Sequence, residues 1–223
     1  MGNQVTLTAS DGHTLSAYRA DPIDRPRGAV VVIQEIFGVN HHIRSVTDRF
    51  AALGYVAIAP ALFDRTERGF ECGYSAEDRQ KAISFVANPP FDKWLLDVFA
   101  AQEAVASVGK VSVVGFCLGG SLAYAAALKP GAFAAAVGYY GGKVASMADK
   151  TPAAPTMLHF GALDAHIPVE DADKIRAAQS GVEVFVYENA DHGFQCDERS
   201  SFNAEAAQIA WGRTLRFLDK HLA

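Results

Sequence analysis

The sequence predicts an α/β fold: a mainly parallel central sheet with helices on both faces, preceded by an antiparallel hairpin. Three observations predict it. Short apolar runs of strand length alternate with helical patterns almost throughout, which favours parallel strands joined by helical crossovers. Several of those runs, such as Ala29 to Ile33, are continuous and β-branched, as expected of strands buried on both faces. Near the start, two alternating segments flank Ser10-Asp11-Gly12, the signature of a hairpin turn. The 223 residues, half of them hydrophobic, suffice for one substantial core, so a single domain over 1–223 is expected.

The elements follow in order. Val5 to Ala9 and Thr14 to Arg19 are the hairpin strands, and Ala29 to Ile33 is the first buried strand. A helical pattern covers about His42 to Leu53 and stops at Gly54. Tyr55 to Ala59 is a strand ended by Pro60, and residues 60–75 read as a loop of mixed charge. Helices over about 76–87 and 92–107 are separated by Asn88-Pro89-Pro90, because consecutive prolines break a helix. Lys110 to Val114 is a strand, and Leu118 to Leu128 an Ala-rich helix. Ala134 to Tyr139 and Thr156 to Phe160 are strands, with a Gly-rich turn at Gly141-Gly142 after the first. A helix over about 168–179, a last strand Val182 to Val186 and an amphipathic helix from about Ala204 to Leu222 close the chain.

Composition excludes several classes. The net charge is −5 with no extended basic run, so nothing favours nucleic acid or an anionic membrane. No apolar run approaches the roughly 20 residues of a membrane span. No signal-peptide pattern is visible, and Cys72, Cys117 and Cys196 are odd in number and widely spaced, unlike a disulfide framework. A cytoplasmic location is expected; the oligomeric state is left open by the sequence, with a monomer slightly favoured. The opening Met1-Gly2-Asn3-Gln4-Val5-Thr6 meets a loose myristoylation pattern and reads as a chance match at the start of a strand.

The chemistry concentrates at Gly115-Phe116-Cys117-Leu118-Gly119-Gly120, directly after the strand Lys110 to Val114. This is the G-x-S-x-G turn of α/β-hydrolases with sulfur in place of oxygen. A sharp strand-to-helix turn lifts the thiol out of the sheet, beside backbone N–H groups and the positive end of the next helix. That field favours both a thiolate and a developing oxyanion. A Cys after a strand is often a small buried hydrophobe, but the flanking glycines favour a nucleophile.

A nucleophile needs a base, and the base an orienting acid; in α/β-hydrolases they follow in the order nucleophile, acid, base. Asp164 stands just past Thr156 to Phe160, and His192 just past the final strand, so all three side chains are expected at one sheet edge. Asp164 could instead cap a helix, with Asp191 the rival acid and His166 the rival base. His159, inside a strand, reads as structural. No metal-ligand spacing appears, so neither a metal nor another cofactor is expected. Gln34-Glu35-Ile36-Phe37-Gly38 follows a buried strand where α/β-hydrolases supply an oxyanion donor. The backbone N–H groups of Leu118 and Ile36 are therefore the expected oxyanion hole. Glu35 is expected to face the thiol, since an unpaired buried carboxylate is costly.

Together these stretches resemble the dienelactone hydrolase (carboxymethylenebutenolidase) family. The resemblance rests on Gln34 to Asn40, Gly115 to Gly120, Asp164 after Phe160-Gly161, Asp191-His192-Gly193-Phe194, and Arg199 with Ala210 to Thr214. It implies an α/β-hydrolase fold, a Cys117–His192–Asp164 triad, no cofactor, and unsaturated lactones bearing a carboxylate as substrates. It also implies that Glu35 holds and deprotonates the thiol, and that Arg79 grips the substrate carboxylate. Two departures stand out. Cys196 occupies the place of a second substrate Arg, with Arg199 nearby, and Ile83 stands where the family has an aromatic. A different lactone or a small ester is then an equal expectation. Phe37 and Tyr139 are further candidates for lining the pocket. The alternatives are a general carboxylesterase with neutral substrates, or a thiol redox protein using Cys117 with Cys196.

Overall fold

A computed structural model describes residues 2–87 and 90–222, so the break expected at Asn88-Pro89 lies outside the described residues. The fold is the expected one: an eight-stranded, mostly parallel sheet with helices and an N-terminal antiparallel hairpin. The chain divides into two compact units, residues 1–111 and 112–223.

In the first unit, β1 (Asn3–Thr8) and β2 (Thr14–Ala20) form the hairpin, with Val5 opposite Ala17. β2 runs antiparallel to β4 (Val56–Pro60), and β4 parallel to β3 (Ala29–Ile33). Every residue of β3 and β4 is buried, as continuous apolar runs require. Helix α1 (His41–Ala52) begins where the Asn40 side chain accepts the Ile43 N–H (3.3 Å). It ends at Gly54, whose φ of +93° lets Tyr55 N–H return to Phe50 O (3.1 Å). Helices α2 (Ala76–Val86) and α3 (Phe91–Val105) follow.

The loop expected over 60–75 is more organised than its mixed charge suggested. It contains a 3-10 turn at Leu62–Arg65. Buried Asp64 accepts the backbone N–H groups of Ser16 and Gly69 (2.7 Å each). Arg65 forks onto fully buried Asp97 of α3 (2.7 Å) and onto Asp11 (3.0 Å).

In the second unit, β5 (Val111–Phe116), β6 (Ala135–Tyr139), β7 (Thr156–Gly161) and β8 (Val182–Tyr187) are consecutive parallel neighbours. Helix α4 (Leu118–Ala127) packs on β6, α5 (Val169–Ala178) on β7 and β8, and α6 (Ala204–Leu222) on β6 and β7. Asn203 caps α6 by accepting the Ala206 N–H (3.0 Å). Strand β8 has one strand neighbour, and most of it is half-buried rather than buried.

Candidate active site

Cys117 sits between β5 and α4 with φ +55° and ψ −111°, a region an L side chain rarely occupies. Neighbours hold it there. Its N–H donates to Tyr139 O (3.0 Å), and its carbonyl accepts Ser121 N–H (3.2 Å). The turn admits no larger residues: a Cβ on Gly115 would strike the Gly119 carbonyl, and one on Gly120 the Tyr139 carbonyl. The half-buried thiol thus stands at the first turn of α4, where no acidic residue competes for the helix field. Leu118 opens the helix, so its N–H is among those without an intrahelical partner.

Asp164 and His192 meet because the β7–β8 ladder continues into their loops. Ala162 N–H donates to Tyr187 O and Leu163 N–H to Ala190 O (2.9 Å each). Gly161 is bare where a Cβ would meet the Ala190 carbonyl. Asn203 pins the second loop, its side chain donating to Asn189 O (2.7 Å) and its backbone N–H to Phe194 O (3.1 Å). Asp164 Oδ2 then lies 2.7 Å from His192 Nδ1, while Oδ1 accepts the N–H groups of His166 (2.8 Å) and Ile167 (3.2 Å). The rival Asp191 is spent on the His192 backbone N–H (2.6 Å). The other rival, exposed His166, sits edge-on to the His192 ring at 5.8 Å.

Cys117 acts on the same ring, favouring its charged form. Burial opposes a charged ring here, but Cys117 and the Asp164 carboxylate outweigh it, and His192 is pushed up to about 10. Burial likewise opposes the Asp164 carboxylate, yet His192 and two backbone N–H groups hold it below its ordinary value.

The remaining expected residues are distributed as follows. Tyr139, expected at the substrate, is fully buried, with its hydroxyl 2.6 Å from Thr214 Oγ1. The ring that reaches His192 is Tyr140, 5.0 Å away. Tyr140 has φ +39°, and nothing in the sequence singled it out. The Arg199 guanidinium lies over Gly193, where a Cβ would collide with it, beside the His192 turn. Glu35, Ile36, Phe37 and Arg79 belong to the first unit. Glu35 is buried in the turn after β3, with Gln34 Nε2 donating to its carbonyl (3.2 Å). Ile36 is half-buried in the same turn. Phe37 is buried, edge-to-face with Tyr74 at 4.7 Å. Arg79 is exposed on α2. Cys196 is fully buried.

A mostly parallel sheet with a strained strand-to-helix turn at Cys117, followed in chain order by a carboxylate and the imidazole it holds, is the arrangement of an α/β-hydrolase. Comparison with known proteins narrows this. A model of the dienelactone hydrolase family matches residues 15–222, and the chain belongs to that family. It is 33% identical to the carboxymethylenebutenolidase of Pseudomonas putida, over 96% of this chain and 94% of the other. It is 36% identical to a Synechocystis protein provisionally named carboxymethylenebutenolidase, over 93% and 92%. A crystal structure of a Klebsiella pneumoniae protein provisionally named dienelactone hydrolase superposes with a TM-score of 0.83 at 31% identity, covering 97% of this chain and 98% of that one. No helix among the described residues is long and apolar enough to cross a membrane.

Proposed function

We propose that this chain opens a lactone, or cleaves a small activated ester, by two-step acyl transfer through Cys117. The observation that carries the reading is the His192 ring 2.7 Å from the Asp164 carboxylate, with Cys117 acting on that same ring from a strained strand-to-helix turn. The Cys117 thiolate attacks the acyl carbon, and the negative oxygen is received by the Leu118 N–H, with the Ile36 N–H as the second donor. The intermediate collapses, the ring C–O bond breaks, and the departing oxygen takes the proton from His192 Nε2. The opened product stays attached as a thioester on Cys117. Neutral His192, held by Asp164, then takes a proton from water, which attacks the thioester and releases the acid and the sulfur.

A thiolate leaves more readily than an ordinary alkoxide, so this chemistry suits activated esters and strained or conjugated lactones rather than amides. Glu35 as a carboxylate that holds and deprotonates the thiol enters the reading through its motif, as does Arg79 as a partner for a substrate carboxylate. Arg199 is the second such partner, supported by its guanidinium lying over the His192 turn. The names of the relatives favour a lactone. A thiol redox role with Cys196 is disfavoured, because Cys196 is fully buried.

A panel of lactones and aryl esters, with and without a carboxylate, tests the reading. Carboxylate-bearing lactones should give the highest kcat/KM, and Arg199→Ala should raise KM for those substrates alone. Equal turnover of neutral and carboxylate-bearing esters would favour the general carboxylesterase. Cys117→Ser should lose most activity against every member of the panel while keeping the fold, and near-full activity would remove Cys117 as nucleophile.

A further inference from the structure

Behind the triad, the second unit holds a buried chain of polar side chains that the acyl-transfer steps do not use. His159, within β7, is fully buried against the rings of Tyr139 (4.5 Å), Phe185 and Tyr187 (5.8 Å each). Its Nδ1 lies 2.9 Å from Tyr187 Oη and its Nε2 3.1 Å from Thr214 Oγ1. Thr214 Oγ1 lies 2.6 Å from Tyr139 Oη. At the other end Arg213 donates to Tyr187 Oη (3.1 Å) while its guanidinium covers the Phe185 ring at 4.1 Å. Burial, with the Arg213 charge, drops His159 to about 3, so its ring is neutral.

A neutral ring donates from one nitrogen and accepts at the other, so His159 links the Tyr187 hydroxyl, which also receives the Arg213 N–H, to Thr214, which engages the Tyr139 hydroxyl. Buried polar groups are costly unless every member is satisfied, and an apolar core would hold β6 against α6 without that cost. What the polar chain adds is a defined placement for Tyr139.

Tyr139 is where the nucleophile turn rests. Its carbonyl accepts the Cys117 N–H (3.0 Å) and is packed against Gly120 of α4. The next residue, Tyr140, donates its N–H to the His159 carbonyl (2.7 Å) and lays its ring 5.0 Å from His192. Cys117 and Tyr140 both hold left-handed backbone angles, at φ +55° and +39°. Such angles persist only where surrounding contacts over-determine them. We propose that His159, acting through Thr214 and Tyr139, is a positioning residue that holds the Cys117 sulfur and the His192 ring in register. The proposal rests on the reading of Cys117 as the nucleophile.

The test uses the full chain. Alkylation by iodoacetamide is followed at Cys117 and Cys72 separately by peptide mass across a pH series, beside kcat and KM for p-nitrophenyl acetate. Thr214→Val keeps the side-chain shape and removes the hydroxyl; Thr214→Ser restores it. Ile175→Val, in the buried face of α5, is the control for lost stability alone. Thr214→Val should slow Cys117 alkylation and lower kcat on the order of tenfold to a hundredfold with little change in KM, since small misplacements of reacting groups cost that much. Cys72 should alkylate at the wild-type rate, Thr214→Ser should recover most of the loss, and Ile175→Val should lower the melting temperature only. His159→Phe, if it folds, should match Thr214→Val. Wild-type rates at Cys117 and an unchanged kcat in Thr214→Val, whatever its melting temperature, would overturn the positioning role and leave the nucleophile reading intact. A wild-type Cys117 that reacts no faster than Cys72 would overturn both.

Discussion

Cys117 occupies a backbone angle that costs on the order of 1–3 kcal/mol, and the contacts around it offset that cost locally. The glycines at 115 and 120 are part of the arrangement. Gly115→Ala must push a methyl into the Gly119 carbonyl, so it should destabilise the fold by about 2 kcal/mol or more, read by urea unfolding, and slow thiol alkylation. The sulfur in turn sets the charge on the ring. Because burial works against the imidazolium and Cys117 is the leading group favouring it, Cys117→Ala should bring His192 well down from about 10. An NMR titration of the His192 ring checks this. An unmoved midpoint would mean that Asp164 alone holds the proton. At this scale the sequence was informative where chemistry needs a residue type at a set position: Cys117 in its glycine frame, Asp164 and His192 in chain order. It was silent about Tyr140, because a left-handed angle at a tyrosine has no signature in composition. For Tyr139 a strand end shows where the residue lies but not which way its side chain points.

The secondary elements were legible to the extent that their burial was uniform. The continuous apolar runs of β3 and β4 could be read directly, because nothing polar interrupts them, and β5 and the Ala-rich α4 stayed legible with a single small serine in each. The segment between β4 and α2 could not. Its order comes from Asp64 and Arg65 bonding to partners far away in the chain, Ser16, Asp11 and Asp97, and local periodicity carries no trace of such contacts. The Arg65–Asp97 pair gives this element a measurable role. Burial disfavours the Asp97 carboxylate and pushes it up, and Arg65 is the counter-charge that opposes this. Asp97→Ala leaves Arg65 nearly buried without its closest partner, which costs about 3 kcal/mol by the usual measure of broken buried pairs. Chemical denaturation should show that loss, and Asp97→Asn, which keeps the side-chain shape, should show a smaller one.

Across the whole molecule, the His192–Asp164 pair makes stability depend on pH. His192 is raised above its ordinary 6.5, so its contribution is complete below that value and is lost as pH climbs towards about 10. Asp164 is lowered, so its contribution is present above its ordinary 3.8 and is lost as pH falls through the depressed value. The stability difference between wild type and His192→Gln should therefore be largest in the mildly acidic range and shrink steadily up to about pH 10. Melting curves across that range check the sign. A difference that grows with pH would mean the ring is neutral in the folded protein.

The central claim concerns one sulfur atom, and trapping the acyl group tests it most directly. His192→Asn, which cannot activate water, should be mixed with an activated aryl ester, quenched in acid and digested for peptide mass. The account predicts the acyl mass on the Cys117 peptide, removable by hydroxylamine and absent when the sulfur is blocked beforehand by alkylation. An acyl group found on another residue, or turnover that persists with that sulfur blocked, would contradict it.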